Sequence, residues 1–177
     1  MGNNKNNNEM IIYVSDLALY AKGVNEWIEL DLMNIEEAQS KYNDFQKERE
    51  EHGLFISDTS MTYELGISEL DNIDYIIYMA DIFFSTWSEE QLSVFSDLVV
   101  EGGYDWTQAS KIVHNYGYTK IVHTERGKEE KCVGQYYAEY LDIPENIKTY
   151  FDYEKYGRDI LIETENVTNE DYTIIIH

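Results

Sequence analysis

The first part of the chain has a hydrophobic pattern that predicts a small sheet and one helix. Residues 10–14 are almost all apolar, and residues 27–32 alternate between apolar and polar side chains, which is typical of strands. Asn34 precedes apolar residues at a 3–4 spacing and is predicted to cap a helix over residues 35–51. Residues 54–56 predict a third strand. We therefore expect a β-rich unit with one helix.

A longer helix is predicted over residues 69–84, with Ser68 as its cap. Its apolar residues recur at the spacing of one helix face, so that this face is expected in the core. The opposite face is predicted to carry carboxylates and tyrosine hydroxyls, from Asp74, Tyr75, Tyr78 and Asp81.

Two further helices are predicted after it. Ser88 and Gln91 have the spacing of a capping box, and this helix should end at the glycines of residues 102–103. The next helix should begin within residues 105–107 and end at residues 116–117. The middle of the chain is therefore expected to be helical.

The last third mixes strands with helices. Residues 119–124 predict a strand and residues 172–176 another. Between them we expect a turn at residues 126–127, a helix over residues 129–141, a short helix with Pro144 in its first turn, and a helix capped by Asp152. The helix over residues 129–141 should present on one side Val133, Tyr137, and Tyr140 or Leu141.

The predicted fold class is therefore α+β, built from small sub-domains that follow one another without a flexible linker. An Asn-rich tail over residues 1–9 is interpreted as frayed rather than as a secretory signal. The sub-domains are a β-rich unit over residues 10–62, a helical acidic unit over residues 63–117 and an α/β unit over residues 118–177.

The distribution of charge limits the possible functions of this chain more than its overall composition does. The chain has 35 acidic and 13 basic residues and a net charge of -22. Residues 50–110 hold 13 acids and no lysine or arginine, so these carboxylates repel one another without local neutralisation. Such a surface has the wrong sign to bind nucleic-acid phosphates or anionic lipid. Direct nucleic-acid or membrane binding is therefore not expected, and no apolar run reaches the length of a membrane span.

Candidate chemistry is sparse. The four histidines lack metal-ligand spacing, and no phosphate-binding loop or nucleophile motif occurs. Cys132 is the only cysteine, so no intrachain disulfide can form, and a cytoplasmic location with a buried thiol is the expectation. We predict no catalytic residues, no metal and no cofactor.

A dense fixed array of negative charge suits a partner that itself binds polyanions. Twenty-two net charges correspond to ~37 Å of duplex DNA, or ~11 base pairs, at one charge per ~1.7 Å. One hypothesis is therefore that the protein imitates DNA. The alternative is an acidic adaptor that binds a basic nucleic-acid-binding protein.

Two segments resemble one known family. Residues 143–160 read IPENIKTYFDYEKYGRDI, which is similar to the hallmark segment of the ArdA antirestriction proteins. Residues 12–20 (IYVSDLALY) and residues 26–30 (EWIEL) resemble the opening of the same family. The resemblance covers about residues 10–176.

This resemblance implies a role in anti-defence, encoded on mobile genetic elements. Members of the family are elongated, dimeric DNA mimics that occupy the DNA-binding channel of type I restriction–modification enzymes, formed by their methyltransferase and specificity core. A homodimer and this enzyme class are therefore the expected partners. The family's antirestriction motif corresponds here to a region that includes Tyr137, Glu139, Leu141 and Asp142.

We assign the DNA-mimic surface to ten acids of the cation-poor middle: Glu64, Glu69, Asp71, Asp74, Asp81, Glu89, Glu90, Asp97, Glu101 and Asp105. The hallmark segment is interpreted as mainly structural, through Pro144, Tyr150, Asp152, Tyr153, Tyr156, Gly157, Arg158 and Asp159.

Within that segment, Arg158 is expected to pair with a local carboxylate such as Asp152 or Asp159. The three tyrosines are expected either in the core or at a dimer contact. A basic island either interrupts the mimic surface or lies at an interface; it consists of Lys111, Lys120, Arg126, Lys128 and Lys131.

Overall fold

The computed structural model describes residues 9–49, 53–69, 71–84 and 86–177. Two three-stranded sheets and several helices confirm the α+β class. The chain divides into two compact units, one ending at Ser96 and the other beginning at Asp97. The three predicted sub-domains stay a prediction. The predicted tail, apart from Glu9, lies outside the described residues.

The first unit contains an antiparallel sheet in the order β2-β1-β3, made of β1 (Met10–Asp16), β2 (Trp27–Asp31) and β3 (Leu54–Met61). All three strands were predicted, although β3 is longer than expected. Ile12, Val14 and Leu30 are fully buried on one face of the sheet. Because side chains alternate between the faces of a strand, this face forms the core.

Helix α2 (Ile35–Lys47) contributes Tyr42 and Phe45 to this core. Asn34 occupies the cap position, but its side chain donates to the Glu37 carboxylate at 2.8 Å instead of accepting a backbone N–H. The predicted position of the cap is therefore confirmed, although the Asn34 side chain makes no capping hydrogen bond. The helix ends at Lys47, and the last predicted residues reach into residues 50–52, outside the described part.

A buried ion pair closes the first sheet near a short helix, α1 (Leu17–Tyr20), which the pattern did not predict. Asp16 is fully buried and accepts the backbone N–H of Leu19 at 2.9 Å. The Nε of Arg49 lies 3.5 Å from the other carboxylate oxygen of Asp16, and the Arg49 guanidinium covers the Phe45 ring. Arg49 is thus a structural cation.

The predicted helix over residues 69–84 begins later than expected. Helix α3 spans Ile73–Met79 and continues as a π-helical turn, Ala80–Phe84. Asn72, not Ser68, caps it, because the Asn72 side chain accepts the backbone N–H of Tyr75 at 2.9 Å. The N–H of Ser68 is instead bound by the Asp71 carboxylate in a separate turn. Leu70 lies outside the described residues.

Helix α4 (Glu89–Val100) has the predicted capping box. The Ser88 backbone donates to the Gln91 side chain at 3.0 Å, and the Gln91 backbone donates back to the Ser88 hydroxyl at 3.3 Å. Trp87 packs against Phe84 and Phe95 with ring centroids 6.0 and 5.3 Å apart, which anchors the start of α4 in the core.

The second unit is built around a sheet in the order β4-β6-β5. Its elements are α5 (Trp106–His114), β4 (Tyr118–Val122), α6 (Glu129–Ala138), α7 (Glu145–Lys148), α8 (Tyr153–Glu163), β5 (Asn166–Thr168) and β6 (Tyr172–Ile176). Ile121, Val133 and Ile175 form its core together with Cys132, whose predicted burial is confirmed.

Two features of the second unit differ from the prediction. Helix α6 ends at Ala138 instead of residue 141, so that Tyr140 and Leu141 lie beyond it, where both are exposed, and not on the same helix side as Val133 and Tyr137. The short strand β5 was missed because only Val167 is buried in it. It pairs with β6 across a turn in which the Asn169 side chain accepts two backbone N–H groups.

Candidate functional site

The ten carboxylates assigned to the DNA-mimic surface are distributed over both units. Nine belong to exposed residues, and the tenth residue, Asp97, is half-buried. Asp74 and Asp81 lie on the exposed side of α3 and its π-helical turn, whereas Ile73, Ile76 and Ile77 are buried. The predicted division of this helix into an apolar and an acidic face is therefore confirmed.

Four of the ten carboxylates are oriented by neutral hydrogen-bond donors. Asp71 accepts the backbone N–H of Ser68 at 2.7 Å, and Asp105 caps α5 through the backbone N–H of Gln108 at 2.8 Å. Two others accept tyrosine hydroxyls, Asp74 from Tyr42 at 3.4 Å and Asp97 from Tyr172. None of these donors carries positive charge, so the carboxylates are held in place without being neutralised.

The tyrosines that contact these acids were not identified from the sequence. Burial, followed by the nearby Asp74 carboxylate, raises the pKa of Tyr42 to about 12. Tyr104 contacts an acid outside the assigned ten: burial and a hydrogen bond to Glu165 raise the pKa of Tyr104 to about 12. Sixteen tyrosines in an acidic chain were the available signal, but sequence spacing does not reveal contacts between residues more than 30 positions apart.

The region that corresponds to the antirestriction motif lies at the end of α6 and in the turn after it. Tyr137 is half-buried against the core of the second unit. Glu139, Leu141 and Asp142 are exposed, and they line a cavity of about 500 Å³ together with Tyr153. The structure therefore brings part of this region next to the hallmark segment.

The hallmark segment supplies helix ends and aromatic packing. Pro144 occupies the cap position of α7, one residue before the first turn in which it was predicted. Asp152 caps α8 by accepting the backbone N–H of Lys155 at 3.0 Å. Tyr153 and Tyr156 both pack on Phe151, with ring centroids 5.0 and 5.5 Å away. Two other members of the segment, Tyr150 and Asp159, are exposed, and Tyr150 is 85% exposed, so it is not a core residue.

Helices α6 and α8 approach each other through two glycines. A Cβ atom on Gly157 would lie 1.7 Å from the carbonyl oxygen of Glu130, and one on Gly134 would lie 1.8 Å from that of Tyr153. Any larger side chain would collide with the backbone of the other helix. Gly157 is therefore required by the packing of the helix pair.

Arg158 joins the same two helices, but through a partner that differs from the prediction. Its Nε and one terminal nitrogen donate to the two carboxylate oxygens of Glu130 at 3.0 and 2.8 Å. Asp152 and Asp159, the two examples named in the prediction, are not its partners, because α8 directs the guanidinium across to α6. A local carboxylate, Glu154, lies farther from the guanidinium, at 3.7 Å. The Arg158 guanidinium lowers the pKa of the Glu130 carboxyl below its ordinary value.

The basic island is partly engaged within the second unit. Arg126 forms an ion pair with Glu170, and the Lys120 ammonium lies 3.7 Å from the centre of the Tyr172 ring. Lys111 and Lys128 are exposed.

In the described part of the chain, no group of three or more His, Cys, Asp or Glu residues is arranged to hold a metal ion. No helix in that part is long and apolar enough to cross a membrane.

Comparisons with known proteins identify one family. No curated protein matches the chain significantly. The model of the family described as "Antirestriction protein (ArdA)" matches residues 12–174, which is nearly the whole chain and includes both units. The chain therefore belongs to the ArdA family of antirestriction proteins.

Proposed function

We propose that this antirestriction protein is a non-enzymatic DNA mimic. It competes with DNA for the binding channel of a type I restriction–modification enzyme in the cytoplasm and so protects the DNA of a mobile element. The main supporting observation is that nine of the ten assigned acids are exposed. All ten lie within residues 50–110, which contain no lysine or arginine. Seven of the ten precede residue 97 and three follow it.

The anchoring of the carboxylates supports this proposal further. A mimic gains affinity when its charges are already in place, because less side-chain entropy is lost on binding. Asp71 and Asp105 are fixed by backbone N–H groups, and Asp74 is next to a buried tyrosine. Such anchoring limits side-chain motion while leaving the negative charge available to a basic channel.

The decisive experiment is a competition assay. Labelled duplex DNA is bound to the methyltransferase core of a type I enzyme, and the protein is titrated at low and at high salt. We expect displacement of the DNA, with an affinity that falls steeply as salt rises, because counterions compete for the same cationic channel. Unchanged DNA occupancy at micromolar protein would contradict the proposal. Retention of the protein by an immobilised histone-like protein but not by the enzyme would favour the adaptor alternative.

We also propose that the protein is a homodimer, and that the second unit supplies the contact. Beyond α6 and around α7, large side chains are exposed, among them Tyr140 (72%), Tyr150 (85%) and Ile147 (47%). Groups of exposed aromatic and aliphatic side chains on one surface are typical of an interface, and these three residues lie within residues 140–150.

Sedimentation equilibrium tests the dimer. We expect the double variant Ile147→Ser, Tyr150→Ser to dissociate at least tenfold more readily than the parent protein. The control is Tyr78→Ser, which removes an exposed tyrosine of α3 in the first unit. A monomeric parent protein, or equal effects of the two variants, would contradict the proposed contact.

A further inference from the structure

The first sheet has an outer face that α2 does not cover. On the central strand β1, Ile11, Tyr13 and Ser15 share this face, because they alternate with the buried Ile12 and Val14. The register places Tyr13 directly between two acids, Glu29 on β2 and Asp58 on β3. Directly opposite residues have Cβ atoms about 5 Å apart. An aromatic ring is therefore flanked by carboxylates on both sides.

A groove follows this face, and we call it the sheet groove. It has a volume of about 520 Å³ and is lined by three aromatic residues, Tyr13, Tyr20 and Trp27, and by the carboxylate of Asp58. Its other lining residues are two serines and an asparagine. Among the described residues, no lysine or arginine lines the groove. Trp27 is 52% exposed and Tyr20 57% exposed. Large aromatic surfaces are thus open to solvent beside an acid.

The walls of the sheet groove are held in place by the fold itself. The Tyr13 and Trp27 rings are 5.3 Å apart at 81°, and Tyr20 contacts Phe55 at 5.4 Å. The Ser15 hydroxyl donates to that of Ser57 at 2.8 Å. The floor therefore has its polar groups satisfied before any ligand arrives.

The Asp58 carboxylate is oriented in a similar way. One of its oxygens accepts the backbone N–H of Thr59 at 2.8 Å. By contrast, Glu29 and Asp31 lie near Lys41. The hydrogen bond to Glu37 is the main cause of the raised pKa of Lys41, and the charges of Glu29 and Asp31 add to it. Asp58 is therefore the carboxylate of this face best placed to receive an external cation.

A second cavity continues from the sheet groove. It has a volume of about 490 Å³ and shares Tyr20, Ser57 and Asp58 with the groove. Its lining also includes Glu69, one of the acids assigned to the DNA-mimic surface. Because the two cavities share these residues, they adjoin, and a peptide segment with one side chain in the sheet groove can continue along the second cavity.

We propose that the sheet groove binds an arginine side chain of a partner polypeptide. Cations are attracted to the faces of tryptophan and tyrosine rings. The planar guanidinium can stack on such a ring and donate two hydrogen bonds to a carboxylate, whereas an ammonium group is more strongly hydrated. An anionic ligand would be repelled by Asp58 and by the net charge of -22. Charge and aromatic content therefore favour arginine over other occupants.

This inference does not depend on the proposed competition with DNA. Its test uses a short peptide and needs no restriction enzyme, so either proposal can fail without the other. The probe is a glycine-rich pentapeptide, blocked at both ends, whose single central arginine carries its only charge. Matched peptides carry lysine or the neutral analogue citrulline at the same place.

NMR titration of the isotope-labelled full chain measures peptide binding through chemical-shift changes of residues in the sheet groove. We expect saturable shifts at the Trp27 indole N–H and at the amide of Asp58 with the arginine peptide. The lysine peptide should bind several-fold more weakly, and the citrulline peptide should cause no saturable shift. Asp58→Asn and Trp27→Leu should each weaken binding by about three- to fivefold, which is the range for an exposed ion pair or cation–π contact.

The matched control is Asp44→Asn, which removes the same charge from an exposed position of α2. It should change binding less than twofold, and thermal unfolding should show that all variants are folded. The proposal is overturned if citrulline or lysine binds as well as arginine, or if Asp44→Asn weakens binding as much as Asp58→Asn. It is also overturned if no saturable shift occurs at Trp27.

Discussion

Carboxylates have different roles in the acidic middle of the chain and in the α6–α8 pair of the second unit. In the middle, Asp71 and Asp105 are bound by backbone N–H groups, and Asp74 accepts a tyrosine hydroxyl. In the α6–α8 pair, Glu130 receives two hydrogen bonds from the Arg158 guanidinium. A neutral donor fixes the position of a charge, whereas a cation also cancels it. The first arrangement preserves an electrostatic field, and the second joins two helices.

We therefore expect the acidic middle of the chain to determine binding and the α6–α8 pair to determine stability. Residues 50–110 carry 13 acids without a lysine or arginine, so that their repulsion opposes folding. The second unit has cations for some of its acids and a helix contact that tolerates no added atom at Gly134 or Gly157. Substitutions in the two regions should therefore affect different measurements.

The largest expected effect comes from Gly157→Ala. The new Cβ would lie 1.7 Å from the Glu130 carbonyl oxygen, so that α6 and α8 must separate. Overpacking that moves backbone typically costs up to about 3 kcal/mol, and we expect a loss of that size in the free energy of unfolding. Urea unfolding followed by circular dichroism measures it.

The control for this substitution is Gly117→Ala. Its Cβ would have its nearest neighbour, the Ile112 carbonyl oxygen, at an ordinary 3.6 Å. We expect a change within about 1 kcal/mol, as for most substitutions without a clash. If the two variants were equally stable, the close packing of α6 against α8 would be refuted.

The second prediction concerns binding. Combining Glu64→Gln, Glu90→Gln and Glu101→Gln removes three exposed charges from the assigned mimic surface. Because the field is a sum over many charges, DNA competition should weaken by a factor of about ten or less and become less dependent on salt. Stability should be unchanged or slightly higher, since repulsion falls. A complete loss of competition from one of the single variants would instead indicate a specific site.

The sequence predicted local features better than distant contacts. Capping at Ser88 and Asp152 was correct because such caps depend on residues only three positions apart. The start of α3 was wrong because Ser68, Asp71 and Asn72 all offer capping groups, and spacing alone does not choose between them.

Contacts between distant residues were beyond the sequence pattern. Arg158 could reach several acids, and only the crossing of α6 and α8 selects Glu130, 28 positions away. The charge distribution likewise predicted an acidic surface without revealing the tyrosines that orient it. Tyr42 meets Asp74 only after α2 and α3 have packed in the first unit. Exposure of the mimic acids could be predicted, whereas their anchoring could not.

The third prediction uses the pH dependence of the Glu130–Arg158 pair. The pKa of Glu130 is lowered in the fold, so its contribution to stability is present above the ordinary carboxyl pKa of about 4.3. That contribution is lost as pH falls through the lower folded value. Glu130→Gln should therefore be slightly less stable than the parent at neutral pH and equally stable in strong acid. Urea unfolding across this range measures the difference.

Glu130→Gln and Glu90→Gln each remove one negative charge, the first from an ion pair and the second from the assigned mimic surface. Competition with DNA should be the same for Glu130→Gln and the parent protein once both are folded. If Glu130→Gln weakened competition more than Glu90→Gln, the paired carboxylates of the second unit would belong to the mimic surface.

The smallest expected effect is that of Tyr42→Phe, which tests whether tyrosines anchor the acidic face. At neutral pH the variant loses one long hydrogen bond to Asp74, which should cost about 1 kcal/mol or less. The folded pKa of Tyr42 is about 12, against about 10 in the unfolded chain. Its contribution is therefore present below pH about 10 and is lost as pH rises through about 12.

Tyr42→Phe should remove part of the decline in stability between these two pH values, as measured by urea unfolding together with tyrosinate absorbance. Tyr104→Phe provides the matched comparison, because Tyr104 also has a pKa of about 12 but contacts Glu165, which is not one of the assigned mimic acids. Both variants should flatten the alkaline decline, since both hydroxyls are held neutral in the fold. Only Tyr42→Phe should also weaken DNA competition, and slightly, because it alone releases a carboxylate of the mimic surface. Equal competition by both variants would mean that anchoring by Tyr42 serves the fold and not the charge array.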